Sequence, residues 1–125
     1  MPRAALLFAA LLLPQAALAE PRWRTLTVEE VATRVAHHAI QVFDCDPRTM
    51  FLEGHLPGAR WVDPDAIETA LPADPEAPIV FYCANEQCLG SHRAAEHATE
   101  RGHHHVFVMP AGIRGWERAG HRIEK

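Results

Sequence analysis

The sequence has no apolar run long enough to cross a bilayer, no excess of positive charge and no even complement of cysteines, and each shortage excludes something. The longest apolar stretch, Ala4 to Leu13, falls short of the ~20 residues a membrane helix requires. A formal charge of −4 offers no electrostatic footing for nucleic acid or an anionic membrane surface. Three cysteines, Cys45, Cys83 and Cys88, cannot all pair with one another, so at least one thiol is left over. Internal repeats and low-complexity tracts are absent as well, which leaves one ordinary globular unit as the simplest reading.

What is there begins with a leader. Met1-Pro2-Arg3, the apolar run and the small-residue triplet Ala17-Leu18-Ala19 ahead of Glu20 form the pattern of a secretory signal peptide over residues 1–19. The expected mature chain, residues 20–125, is a single domain in the periplasm or outside the cell, with no membrane attachment after cleavage. Glu20 rather than a cysteine follows Ala19, so no lipid anchor is expected. In an oxidising compartment an unpaired thiol needs a reason. Cys45 alone has a bland one, as a small buried hydrophobe. Nine histidines allow the charge to change near pH 6.

Strand and helix signals alternate along the rest. Thr27 and Glu30 form a capping box for a helix over about 27–37, with Val28, Val31 and Val35 at helical spacing. Ala39-Ile40-Gln41-Val42-Phe43 reads as a buried strand stopped by Asp44-Cys45-Asp46-Pro47. Gly54-His55-Leu56-Pro57-Gly58-Ala59 is a loop before a short strand at 60–62, and Pro64-Asp65 opens a modest helix over 66–71. Ile79-Val80-Phe81-Tyr82 has the continuity of a central parallel strand. Ser91 can cap a helix through Arg101 that Gly102 stops; Val106-Phe107-Val108 is a further strand, and 113–119 a short helix. This alternation predicts an α/β domain with a mainly parallel central sheet and helices on both faces.

In open α/β sheets, chemistry collects beyond the carboxyl ends of the strands. Cys83 stands at such an end, and residues 84–90 lead to a helix N-terminus whose amides favour negative charge. A cysteine held there is expected to have a depressed pKa and to be a nucleophile.

Several stretches together resemble the rhodanese (sulfurtransferase) family over about Leu26 to Ile123: Val42-Phe43-Asp44, Gly54-His55-Leu56-Pro57-Gly58-Ala59, Phe81-Tyr82-Cys83, Ser91-His92-Arg93-Ala94-Ala95, and Ala111-Gly112-Ile113-Arg114-Gly115-Trp116. The resemblance implies a single-domain sulfurtransferase, resembling thiosulfate sulfurtransferases, in which Cys83 takes a sulfane sulfur from a small donor. Cys83 would hold it as a persulfide and pass it to a thiol, cyanide-like acceptor or protein thiol. Its cradle would be the loop Ala84, Asn85, Glu86, Gln87, Leu89, Gly90 and Ser91, with Ser91 capping the helix; His92, Arg93 and Arg114 are candidates to contact anions, Arg93 from the rim and not from within the cradle. No cofactor is called for, since a thiolate is already the reactive species.

The chain departs from the family pattern in three places. Ser91 follows Cys83 by eight positions, a loop two residues longer than usual. Gly90 stands where a basic residue is common, and Asp44-Cys45-Asp46 replaces a usual Asp-x-Arg, a change expected to affect loop support more than chemistry. Longer loops occur in rhodanese-like phosphatases and arsenate reductases, but those carry an arginine inside the loop to hold an oxyanion, and this loop has none.

Cys88, five residues after Cys83, admits three readings: a resolving thiol, a redox switch, or a packing residue. A thiol–disulfide redox protein using the Cys83/Cys88 pair and a non-catalytic binding module on the same fold therefore stand beside the sulfurtransferase. His103-His104-His105 is read as a solvated loop entering a strand, with His104 facing away from its neighbours if the strand has begun there, and no metal site is expected. His55 and Trp116 are expected to pack or hydrogen-bond.

Overall fold

The computed structural model describes residues 1–7, 9–14 and 22–125. The signal-peptide cleavage site, Ala17-Leu18-Ala19 before Glu20, lies outside the described residues. No helix among the described residues is long and apolar enough to cross a membrane.

The elements in chain order are β1 (Arg24–Thr25), α1 (Val28–Ala36), β2 (Gln41–Asp44), α2 (Arg48–Glu53), β3 (Arg60–Trp61), β4 (Ile79–Tyr82), α3 (Gly90–Glu100), β5 (Val106–Val108) and α4 (Gly112–Arg118). The five strands form one all-parallel sheet in the order β1-β5-β4-β2-β3. β4 is central and buried along its whole length, as its unbroken run of β-branched and aromatic residues requires. Side chains alternate across the pleat. Phe43, Phe81, Val106 and Val108 face α3, whose Ala94, Ala95 and Ala98 are small enough to let the helix lie close. Val42, Val80 and Phe107 face the other layer, where Val31 of α1 and Ile113 and Trp116 of α4 close the second half of the core.

Local chemistry explains most boundaries. Thr27 accepts from the Glu30 amide and the Glu30 carboxylate accepts from the Thr27 amide, the capping box expected for α1. Such a cap stabilises a helix by about 1 kcal/mol. Two expectations fail. Residues 66–71 form turns and no helix, because the Asp63 carboxylate takes the Asp65 amide in a tight turn and Pro72 leaves no length for propagation. α3 begins at Gly90 with Leu89 as its N-cap, so Ser91 lies inside the first turn and does not cap it.

Register carries the functional consequence. Phe43 pairs with Phe81 and Asp44 with Tyr82, so the carboxyl ends of β2 and β4 are level. The Cys45 amide then donates to the Tyr82 carbonyl (2.8 Å), which brings Cys45 and Asp46 alongside Cys83.

Candidate active site

Cys83 leaves the end of β4 into the 84–89 loop and is only 2 % exposed. Its Sγ accepts a hydrogen bond from the Ser91 amide at 3.1 Å, in the first turn of α3. Ser91 therefore supports the sulfur through its backbone, a different role from the expected cap. The loop is held by Asn85, whose carbonyl takes the Cys88 amide (3.2 Å) and whose side-chain oxygen takes the Gln87 amide (3.0 Å). The amides of Asn85, Glu86, Leu89 and Gly90 have no partner among the described residues. Unpartnered loop amides of this kind are the donors that anions take at a helix N-terminus.

Two glycines make room. A Cβ on Gly90 would sit 3.3 Å from Cys83 Sγ and 3.5 Å from Pro64, so the residue that replaces the family's common basic side chain abuts the sulfur itself. Gly112 has φ +63° and leads α4, whose Ile113 and Arg114 amides donate to the Cys83 and Ala84 carbonyls at 2.9 Å each. Any Cβ there would lie 2.5 Å from that peptide.

The electrostatics differ from the expectation of a depressed thiol pKa. Burial, then the neighbouring Cys88 thiol, push Cys83 up to about 12, and the Ser91 hydrogen bonds only partly offset this. Burial thus disfavours the Cys83 thiolate in the reduced protein. Cys45 is buried, and its pKa is raised by burial first and by Cys83 next; it is a core thiol packed below the site.

Asp46 is the residue whose place the sequence did not reveal. Its carboxylate, Cys83 Sγ and Cys88 Sγ lie within 4.8 Å of one another, and Asp46 is 4 % exposed. Burial and the neighbouring Asp44 push its pKa up to about 6, while the Ala84 amide and Arg114 pull it down. Asp46, standing where the resemblance implies an arginine, thus puts a carboxyl beside the two cysteine sulfurs, where a change in loop support more than in chemistry was expected. Among the described residues this trio is the one His, Cys, Asp or Glu set whose side-chain donor atoms lie this close together.

The remaining expected residues are dispersed. Arg93 is exposed and paired with Asp65 at 3.1 Å, and the His92 ring packs on Trp23; neither is placed in the cradle. Arg114 faces Asp46. His104 and His105 both meet the Glu76 carboxylate, so they do not alternate as a strand would make them, because the strand begins only at Val106. His55 stacks on Phe51 and the Trp116 indole donates to the Arg122 carbonyl, as packing elements. Behind the site the Tyr82 hydroxyl donates to buried Asp44 (2.7 Å) and accepts from the Leu56 amide (3.0 Å), tying the Gly54–Ala59 loop to the sheet. A cavity of about 520 Å³ opens between α1 and the C-terminal segment, and no thiol lines it. Chemistry, not volume, locates the site.

The model of the rhodanese-like domain matches residues 27–119. The chain belongs to the rhodanese-like domain family. Solved structures with this fold include a thiosulfate sulfurtransferase from Pseudomonas aeruginosa, 24 % identical with a TM-score of 0.73, covering 86 % of this chain and 20 % of that one. A human single-domain sulfurtransferase is 21 % identical with a TM-score of 0.66, covering 80 % of this chain and 97 % of its own. A protein of Rhodopseudomonas palustris described as a possible tyrosine phosphatase is 24 % identical with a TM-score of 0.68, covering 90 % of this chain and 99 % of that one. At these identities the likeness is one of fold. The rhodanese-like cysteine loop of this chain contains no arginine among residues 84–90 to hold a phosphoryl group.

Proposed function

We propose that the chain is an exported sulfurtransferase in which Cys83 accepts a sulfane sulfur, holds it as a persulfide and delivers it to a thiophilic acceptor. Membership of the rhodanese-like family supports sulfur transfer in general. The observation that carries the finer reading is Cys83 at the end of the central strand, its Sγ on the Ser91 amide, followed by a loop whose Asn85, Glu86, Leu89 and Gly90 amides are unpartnered among the described residues. In loading, Cys83 gives its proton to solvent and the resulting thiolate attacks the outer sulfur of a donor such as a thiosulfonate, and the sulfinate leaves with the bonding pair. The negative charge then sits on the terminal sulfur, one bond beyond the buried Sγ. That relieves the burial cost which keeps the free thiol protonated. No cofactor enters this step.

A second reading, a thiol–disulfide protein, is favoured by one observation, the proximity of Cys83 and Cys88 sulfurs, both present as free thiols. Thiocyanate formation from a sulfane donor and cyanide separates the two. The sulfurtransferase reading expects turnover in the reduced wild type and none in Cys83→Ser. Turnover persisting in Cys83→Ser would remove Cys83 from the role.

A further inference from the structure

We propose that Cys88 attacks the Cys83 persulfide at Sγ, with Asp46 carrying the proton, so that the domain discharges sulfane sulfur as hydrosulfide and closes a Cys83–Cys88 disulfide that an external dithiol reopens. This rests on the Cys83 persulfide reading and adds an activity to it, the reduction of sulfane sulfur.

Three observations converge on it. The Asp46 carboxylate and the two sulfurs lie within 4.8 Å of one another, in a place fixed by the level register of β2 and β4. Cys83 Sγ is anchored by the Ser91 amide at the strand end, and the half-buried Cys88 of the following loop already lies beside it. The choice of sulfur follows from leaving groups. Attack on the terminal sulfur would expel the Cys83 thiolate, whose thiol is pushed up to about 12 and is therefore a poor leaving group. Attack on Sγ expels hydrosulfide, the conjugate base of a stronger acid than an alkanethiol.

The step balances. Cys88 gives its proton to the Asp46 carboxylate; the Cys88 thiolate forms the new S–S bond to Cys83 Sγ; and the old S–S bond breaks with its electron pair on the terminal sulfur. Asp46 returns the proton to that sulfur, which leaves as HS⁻. A persulfide anion and a thiol thus become a disulfide and hydrosulfide with no net proton change. A dithiol then reduces the protein disulfide by two electrons and is itself oxidised to a disulfide. An acid with a pKa of about 6 can accept and release a proton near neutrality. The groups facing Asp46 are Asp44 on β2, Arg114 of α4, the two thiols, and Glu53 and Glu117 across the adjoining cavity.

The test is a single turnover. Reduced full-length protein receives benzenethiosulfonate, whose leaving group is a sulfinate and not sulfide, with no added thiol; sulfide, free thiols and intact mass are followed. Wild type is expected to release sulfide stoichiometrically and form the intramolecular disulfide, and a dithiol should restore turnover. Cys88→Ser should keep the added sulfur and release no sulfide. Asp46→Asn should release it roughly a hundredfold more slowly, without the rise in rate that wild type shows as pH passes upward through about 6. Sulfide release by Cys88→Ser at the wild-type rate, or a persulfide mapped to Cys88, overturns the proposal. An Asp46→Asn variant with wild-type rate and pH profile overturns the role of Asp46. Failure of either protein to gain a sulfur atom by mass, with no sulfide formed, instead refutes the persulfide reading beneath it.

Discussion

Gly112 shows how a single position sets the site. With φ +63° and a virtual Cβ 2.5 Å from the Cys83–Ala84 peptide, only glycine lets α4 deliver its Ile113 and Arg114 amides to that peptide. Gly112→Ala is expected to cost about 2–4 kcal/mol in urea unfolding, and an unchanged midpoint would contradict this. Cys83 makes a second residue-scale prediction. Because burial and Cys88 raise its pKa, alkylation of reduced protein at Cys83 should be slow at pH 7 and accelerate well into the alkaline range. Removing the raising partner in Cys88→Ser should move that curve to lower pH. A plateau already reached at pH 7 in wild type would show that the loop amides outweigh burial.

At the level of elements, the pairing of β2 with β4 positions the site, and the buried Asp44–Tyr82–Leu56 chain joins that pair to the Gly54–Ala59 loop. Tyr82→Phe removes the donor to Asp44 and the acceptor of the Leu56 amide, leaving both buried. A loss of about 1–3 kcal/mol is expected, measured by denaturant unfolding. Elements whose signal is local were legible in the sequence. β4 and β5 have the bounds read from their unbroken apolar runs, α1 follows from its capping box, and the parallel α/β layering follows from the alternation. The elements missed carry little local signal: β1 is a two-residue edge strand that exists through pairing with β5, and α2 is a single short helix between Pro47 and Gly54. For the site, Cys83 at a strand end was legible because a buried strand followed by a helix announces itself. Asp46 was not, because its approach to Cys83 comes from strand register, and the raised thiol pKa was not, because burial is a property of the packed chain.

At the scale of the whole molecule, two acids stand apart from the rest in being buried. Asp44 and Asp46 are both buried at the carboxyl end of the sheet, and burial raises both pKa values. A carboxyl whose folded pKa lies above its unfolded value binds more protons when folded, so its contribution to stability falls as pH rises from about 4 through about 6. Asp46→Asn lacks that loss and is expected to be more stable than wild type at pH 8 by about 1–3 kcal/mol, the difference shrinking toward pH 4; equal stabilities at both pH values would contradict it. We also propose that the exported chain starts at Glu20, which N-terminal sequencing of protein recovered from outside the cytoplasm would check against retention of Met1. The most direct measurement of the central claim is peptide mass mapping of Cys88→Ser protein, reduced, exposed to a sulfane donor and alkylated. The account predicts one added sulfur atom on the peptide containing Cys83, lost on treatment with cyanide. An added sulfur on the Cys45 peptide alone, or no cyanide-labile sulfur anywhere, would contradict it.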